Sequence, residues 1–233
     1  MSRSALLCTW DPGRVPHPRE GLRRAKLAFA HAAVLLLGIA CKPKDPAITE
    51  PFVDDFERGD VGPSWYDTGA GYKVSGGKLA ISKAYNHPLW LRKRLPPDLV
   101  LDVDVMSMST DGDIKVELYG DGRSFDPDKG NYDPTGYVLF FGGHQNTESV
   151  ISRLGEHGDA VKARNTDVRV TPGRVYHWTI TRKDGKIDWV IDGKPFLSWT
   201  DAAPLGGSGH EYFGVNDWET EVSFDNLRIH PAH

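Results

Sequence analysis

Near the C-terminus, between two strand-like stretches, stands the polar turn Asn216-Asp217-Trp218-Glu219. A tryptophan in a polar turn needs a reason to be there, and loops carry function. An indole face suits the C–H face of a pyranose ring, while amides, imidazoles and guanidinium groups satisfy its hydroxyls. Two more such groups lie together earlier in the chain. His144 sits in the turn 142–147, and Arg153 lies on the strand that follows. In residues 150–154, Val150, Ser152 and Leu154 share one strand face and Ile151 and Arg153 the other. Arg153 therefore shares a face with an apolar residue, and its planar fork would hold two adjacent hydroxyls or a uronate carboxylate. The expected ligand-binding set is Trp218, His144, Arg153 and Asn216. Trp65, Tyr66, Trp90, Tyr119 and Trp199, with Gln145, Asn146 and Asp217, belong to the same pool of residue types. Each aromatic taken alone is more often a core residue than a site residue. The plainer alternative pairs Arg153 with Glu156 or Glu148 and lets Trp218 cap the core.

A second constellation is acidic. Asp126, Asp128, Asn131 and Asp133 surround Gly130 in a polar loop. Calcium takes several oxygens from such a loop, which makes Asp126, Asp128 and Asp133 candidate Ca2+ ligands; the spacing is not that of an EF-hand, and an ordinary Asp/Asn-rich turn is the alternative reading. Asp55 with Asp225 is a further acidic pair. Asp102 and Asp104 share one strand face, as do Asp113, Lys115 and Glu117. These are expected to be solvated outer faces rather than acid/base pairs. The histidines at 87, 144, 157, 177 and 210 lack metal-ligand spacing. There is no G-x-S-x-G elbow and no P-loop, and the catalytic residues stay unassigned.

Strands must position these groups. In residues 175–199, VYHWTITRKDGKIDWVIDGKPFLSW, Tyr176, Trp178 and Ile180 alternate with polar residues, as do Ile187, Trp189 and Ile191. Asp184-Gly185 and Asp192-Gly193 supply tight turns, so the stretch reads as a three-stranded meander with Trp178 and Trp189 in the core. Residues 99–106 (LVLDVDVM) and 113–119 (DIKVELY) alternate in the same way. Further strands are expected at 52–56, 72–74, 78–82, 89–92, 136–142, 148–154, 211–215 and 221–229. Residues 120–135 read as a long loop and 155–166 as a polar excursion. After residue 41 no helical period of useful length appears. Roughly a dozen strands at this spacing predict an all-β fold, a two-sheet antiparallel jelly-roll sandwich at residues 52–230.

The first 40 residues differ. Arg14, Arg19, Arg23, Arg24 and Lys26 precede the apolar run 27–40, LAFAHAAVLLLGIA. It is short for a span of ~20 residues and fits the apolar region of a signal peptide. The stretch before Arg19 is long for the basic flank and is read as an over-extended start. Gly38-Ile39-Ala40-Cys41 resembles a bacterial lipobox, with Gly38 where leucine is usual. The resemblance implies cleavage before Cys41, lipidation of that cysteine, and a Pro- and charge-rich tether at 41–51. Lys42 after the cysteine implies the outer membrane or cell surface. The chain has 2 cysteines, Cys8 and Cys41, so the mature form would have none free for a disulfide. The whole chain carries a formal charge of −4. Residues 1–40 hold six arginines and lysines against two acids, so the remainder is still more acidic. It shows no basic patch, which argues against a nucleic-acid partner. The membrane is expected as a partner only through the lipid anchor.

Several motifs carry a family resemblance. They are Asp54-Asp55-Phe56-Glu57, the run 72–79 (YKVSGGKL), the meander YHWTITRKDGKIDWVIDGKPF, and the closing FDNLRI at 224–229. Together, over residues 52–230, they resemble the concanavalin A-like lectin/glucanase superfamily, in particular its laminin-G-like and bacterial 3-keto-disaccharide hydrolase domains. The resemblance implies a concanavalin A-like jelly roll that binds a polysaccharide or oligosaccharide on a concave sheet or loop rim. It leaves two alternatives, a glycan-active hydrolase or lyase and a protein-binding surface lipoprotein. The E-x-D-x-(x)-E strand of the superfamily's glucanases is absent here.

The anchoring expectation is directly testable. Cys41→Ser should release the expressed protein from the detergent phase into the aqueous phase; unchanged partitioning would reject lipidation at Cys41.

Overall fold

The computed structural model describes residues 44–125 and 132–232. The expected signal peptide, Cys41, and the calcium candidates Asp126 and Asp128 lie outside the described residues. Fifteen strands are formed: β1 (Phe52–Asp54), β2 (Trp65–Asp67), β3 (Lys73–Ser75), β4 (Lys78–Ser82), β5 (Leu89–Leu91), β6 (Leu99–Ser107), β7 (Ile114–Gly120) and β8 (Tyr137–Gly142), then β9 (Glu148–Arg153), β10 (Val161–Asn165), β11 (Val175–Lys183), β12 (Lys186–Ile191), β13 (Lys194–Thr200), β14 (Tyr212–Asn216) and β15 (Glu221–Pro231). They make two antiparallel sheets. One has the order β13-β12-β11-β6-β15-β4-β3, with β1 paired to β15; the other runs β10-β9-β8-β7-β14-β5-β2.

Alternation builds the core. Leu99, Leu101, Val103 and Val105 of β6 are buried while the residues between them are half-buried. Val103 faces Trp178 across the β6–β11 pair. Trp178 and Trp189 meet edge to face at 4.7 Å. From the opposite sheet Phe141 inserts among Tyr176, Trp178, Trp189 and Phe196, with ring centroids 5.0 to 6.2 Å away. Such T-shaped contacts add to the burial of large rings.

Three local expectations are corrected. The first strand ends at Asp54, because the Asp54 carboxylate accepts the Phe56 N–H at 3.0 Å and also pairs with Arg58, turning the chain at a left-handed Phe56. The polar excursion 155–166 contains β10, an edge strand whose half-exposed pattern suits a single neighbour, β9. Of the segment expected as a tether, the described part is docked: Ile48 is 4% exposed, Ala47 bridges Arg94, and Lys44 pairs with Glu211 at 2.8 Å.

The seven-stranded sheet is buried on both faces at β7 and β8, where every residue is buried. Ile114, Val116 and Leu118 face the core. Lys115 and Glu117, expected as a solvated face, are buried because chain from residues 132–136 and 155–157 returns over them. Asp121 N donates to Thr135 Oγ1 at 2.8 Å, and Phe125 stacks on His87 at 3.5 Å. On the same outer face Trp90 is 1% exposed and lies over two glycines. A Cβ at Gly214 would stand 2.8 Å from its ring, and one at Gly120 would stand closer still.

The indole N–H groups of Trp178 and Trp189 have no partner among the described residues. Trp178→Ala should therefore cost about 3–5 kcal/mol in chemical denaturation, the usual effect of emptying a large aromatic site. Trp178→Phe should cost much less, since no hydrogen bond is lost. A loss below ~1 kcal/mol for the alanine variant would show that the ring is not a core element.

Candidate functional site

A groove of about 660 Å3 opens on the outer side of the seven-stranded sheet. Its floor is Lys115 of β7 and Phe140 of β8. Its walls are Asn86, Asp111 and Asp113, residues 132–134, the turn 143–145, residues 155–157, and Trp218, Glu219 and Thr220.

Lys115 organises the floor. Its ammonium, in a residue 5% exposed, reaches Asn86 Oδ1 at 2.6 Å, Glu156 Oε1 at 3.2 Å and Asp113 Oδ2 at 3.7 Å. Burial alone would push its pKa down; the charges of Asp113 and Glu156 outweigh that and hold it above the ordinary lysine value. Asp113 Oδ2 also accepts the Trp218 N–H at 2.7 Å. Two loops are zipped together behind the tryptophan: Lys83 N, Tyr85 N and Asn86 N donate to the carbonyls of Thr220, Trp218 and Asp217 at 2.8–3.0 Å. Asp217 is buried and braces this corner, accepting from Ala84 N and Thr220 N, both at 3.0 Å. Burial pushes its carboxyl up to about 6, against the Ala84 hydrogen bond and with Asp113 adding to the rise. The Trp218 ring is left 47% exposed, edge-on to the exposed Tyr85 at 5.4 Å.

The opposite wall is held by a brace. Gly142, His144, Gln145 and Asn146 all have positive φ, between 50° and 75°. The Asn146 side chain holds this turn, donating to Thr110 O and Val170 O and accepting from Val170 N. His144 pairs with Glu148 at 2.7 Å and stacks on His157 at 4.9 Å. Asn86 and Asp113 are left-handed as well. Non-glycine residues rarely adopt this conformation, and they gather at functional sites when the surroundings hold them there.

Behind the floor Glu117 is 1% exposed. It accepts Thr135 N at 2.9 Å, Gly136 N at 2.7 Å and the Tyr132 hydroxyl. Burial pushes its carboxyl up to about 7 in spite of these donors.

The expected ligand set is divided. Trp218 and His144 line the groove from facing sides, joined by Gln145. Asn216 is buried behind it, with its Oδ1 accepting Asp217 N at 2.9 Å. Arg153 is not in the groove: like Ile151 it points to the inner side of the sheet, where it pairs with Asp201 at 2.7 Å and donates to Ala203 O. Its acidic partner is thus neither Glu156 nor Glu148. Asn146 is the turn's brace. Trp65 and Tyr119 are buried, Trp199 packs against the core, and Tyr66 is exposed on β2. Asp133 lines the groove. Among the described residues no three His, Cys, Asp or Glu side chains are grouped to hold a metal. Groove residues given no site role from sequence include Asn86, Asp111, Tyr132, Glu156 and His157, with Asp113 and Lys115 read as solvated surface. The clustering of Asp113, Lys115 and Glu117 was the visible signal for the last two.

The architecture is a galectin- or concanavalin-like sandwich. Solved structures share it: the carbohydrate binding module CBM66 from Bacillus subtilis (14% identity, TM-score 0.55, 71% of this chain and 94% of that one), the Ca2+/Man3GlcNAc-bound VIP36 exoplasmic/lumenal domain (12%, 0.56, 73% and 85%), and the alginate lyase Aly36B (14%, 0.51, 80% and 100%). By sequence, a family model described as "Farnesoic acid 0-methyl transferase" matches residues 106–228, and the chain belongs to that family. No curated protein sequence matches the chain.

Glu117 gives a signed pH test. The folded protein keeps the Glu117 proton up to about pH 7, whereas the unfolded chain releases it near the ordinary value of 4.5. Stability therefore falls as pH rises through this window, by on the order of 3 kcal/mol at full extent. Asp217, also raised, adds a smaller fall of the same sign. Glu117→Gln should flatten most of that fall in urea unfolding between about pH 5 and about pH 8. An unchanged slope would mean that Glu117 is ionised in the folded state throughout.

Proposed function

We propose that this protein is an extracytoplasmic, lipid-anchored sandwich that binds carbohydrate in the groove beside Trp218. The observation that carries the reading is the half-exposed indole held at a groove rim by Asp113 and Tyr85, above a floor dense in hydrogen-bonding groups. An apolar ring face next to fixed polar groups is what a pyranose requires. The carbohydrate-binding module and the sugar-bound lectin-like domain that share the fold support the ligand class. The apolar run ending at Ala40-Cys41 supports the anchor. The family's description names an apolar acid as methyl acceptor, but five carboxylates among the described residues line this groove, which disfavours a carboxylate-bearing apolar ligand there.

A second reading, a glycan-active hydrolase or lyase, has an observation of its own. Asp113 and Glu156 converge in the groove beside Trp218, and a lyase shares the fold. Both carboxylates are engaged by Lys115, Glu156 through a hydrogen bond at 3.2 Å and Asp113 as an ion pair at 3.7 Å, so neither stands free in the groove as a glycosidase's acid/base pair does.

A glycan array on the full chain, followed by calorimetric titration of its best hit, tests the binding reading. Trp218→Ala should weaken that hit about tenfold or more, as removal of a central aromatic anchor does. Undiminished affinity would remove Trp218 from the site. Release of new reducing or unsaturated ends, abolished by Glu156→Gln, would establish the enzyme instead.

A further inference from the structure

The charge around the groove bears on which sugars it takes, given the carbohydrate reading above. Among the described residues five carboxylates line it, from Asp111, Asp113, Asp133, Glu156 and Glu219, against one ammonium, from Lys115. That ammonium is not offered to a ligand. It is buried, and Asn86, Glu156 and Asp113 surround it. Among the described residues no arginine lines the groove, since Arg153 faces the other side of the sheet and is paired with Asp201. Of the two histidines, His144 lies against Glu148 at 2.7 Å and His157 stands 3.9 Å from Glu156. Asp111 and Glu219 are exposed, and their carboxylates make no hydrogen bond or ion pair among the described residues. Glu219 follows Trp218 directly, so an unneutralised carboxylate adjoins the stacking ring. A cation over an indole face is itself attracted by the ring quadrupole. A ligand carboxylate or sulfate in this groove would meet like charge on several sides.

We infer that the groove selects sugars carrying a free protonated amine, a glucosamine-type oligomer, over uncharged and anionic ones. Asp111 and Glu219 supply the unpaired charge, and Trp218 receives the ring that bears the ammonium.

Three oligosaccharides of equal length test this with the full chain at mildly acidic pH: a glucosamine oligomer, its fully N-acetylated counterpart, and an oligogalacturonate. The amine form should bind about tenfold tighter than the N-acetylated form in low salt, and the galacturonate should bind weakest. The gap should narrow as salt is raised from about 0.05 to about 0.5 M. Asp111→Asn and Glu219→Gln should each narrow it by up to about fivefold, the effect of an exposed ion pair. Both substitutions are at exposed positions, and circular dichroism checks that the fold is kept. If the N-acetylated form binds through Trp218 and the amine confers no advantage, the sugar reading stands and this inference falls. A preference for the amine that survives both substitutions also overturns it, assigning the effect to the general acidity of the protein. If none of the three binds in a Trp218-dependent way, both readings fall.

Discussion

A lysine ammonium cannot lie under the covering of a β-sheet unless anions come to it. Taking such a charge out of water costs several kcal/mol, which close partners must offset. Lys115 imposes that requirement at the centre of the seven-stranded sheet. Asp113 comes from the turn before β7, Glu156 from the connection after β9, and Asn86 from the loop between β4 and β5. One charge thus collects three separate segments. Asp113 then holds the backbone of Trp218, so the aromatic rim takes its position from the buried ion group beneath it. Removing one partner from such a group leaves an uncompensated charge and generally costs more than the group contributes as a whole.

The same segments carry unusual backbone. Tyr85, Asn86, Asp113, His144 and Gln145 are all left-handed, and each lies at the groove or beside it. Each such residue costs on the order of 1 kcal/mol or more relative to a relaxed turn. The Asn146 brace on one side and the Asp217 brace on the other offset this cost locally. The two walls are therefore preorganised, which reduces the ordering entropy that a ligand would otherwise have to overcome.

The sandwich was legible because period-two alternation is strong where one sheet face meets a core. Residues 99–106 and 175–191 show it plainly, and the structure follows them. The site was legible only in part. Trp218 and His144 stood out because their residue types do not suit their turns. Arg153 was misplaced although its face was read correctly. Alternation puts it with Ile151, but nothing local says that this face looks inward, toward Asp201. Lys115 and Glu117 were read as solvated for a related reason. The pattern separates two faces and does not report that distant chain returns over the second one. Long-range covering of this kind depends on contacts such as Thr135 to Glu117 and Glu156 to Lys115, which leave no periodic trace.

Trp90 and the glycines beneath it have an evolutionary corollary. The ring occupies the space where side chains at Gly120 and Gly214 would begin, and its indole N–H has no partner among the described residues. No side-chain hydrogen bond to the described residues therefore ties the ring to its place; the two absent side chains leave the space it fills. The three positions form one heritable unit. Gly214 can acquire a methyl group only in a lineage that has already traded the tryptophan for something smaller, while at Gly120 Glu117 Oε1, 2.7 Å from such a Cβ, must give way as well; a lineage that has made the trade gains a hollow on the outer face that the glycines alone do not fill. Drift at this part of the sheet is thus ordered in time, with the large residue changing first.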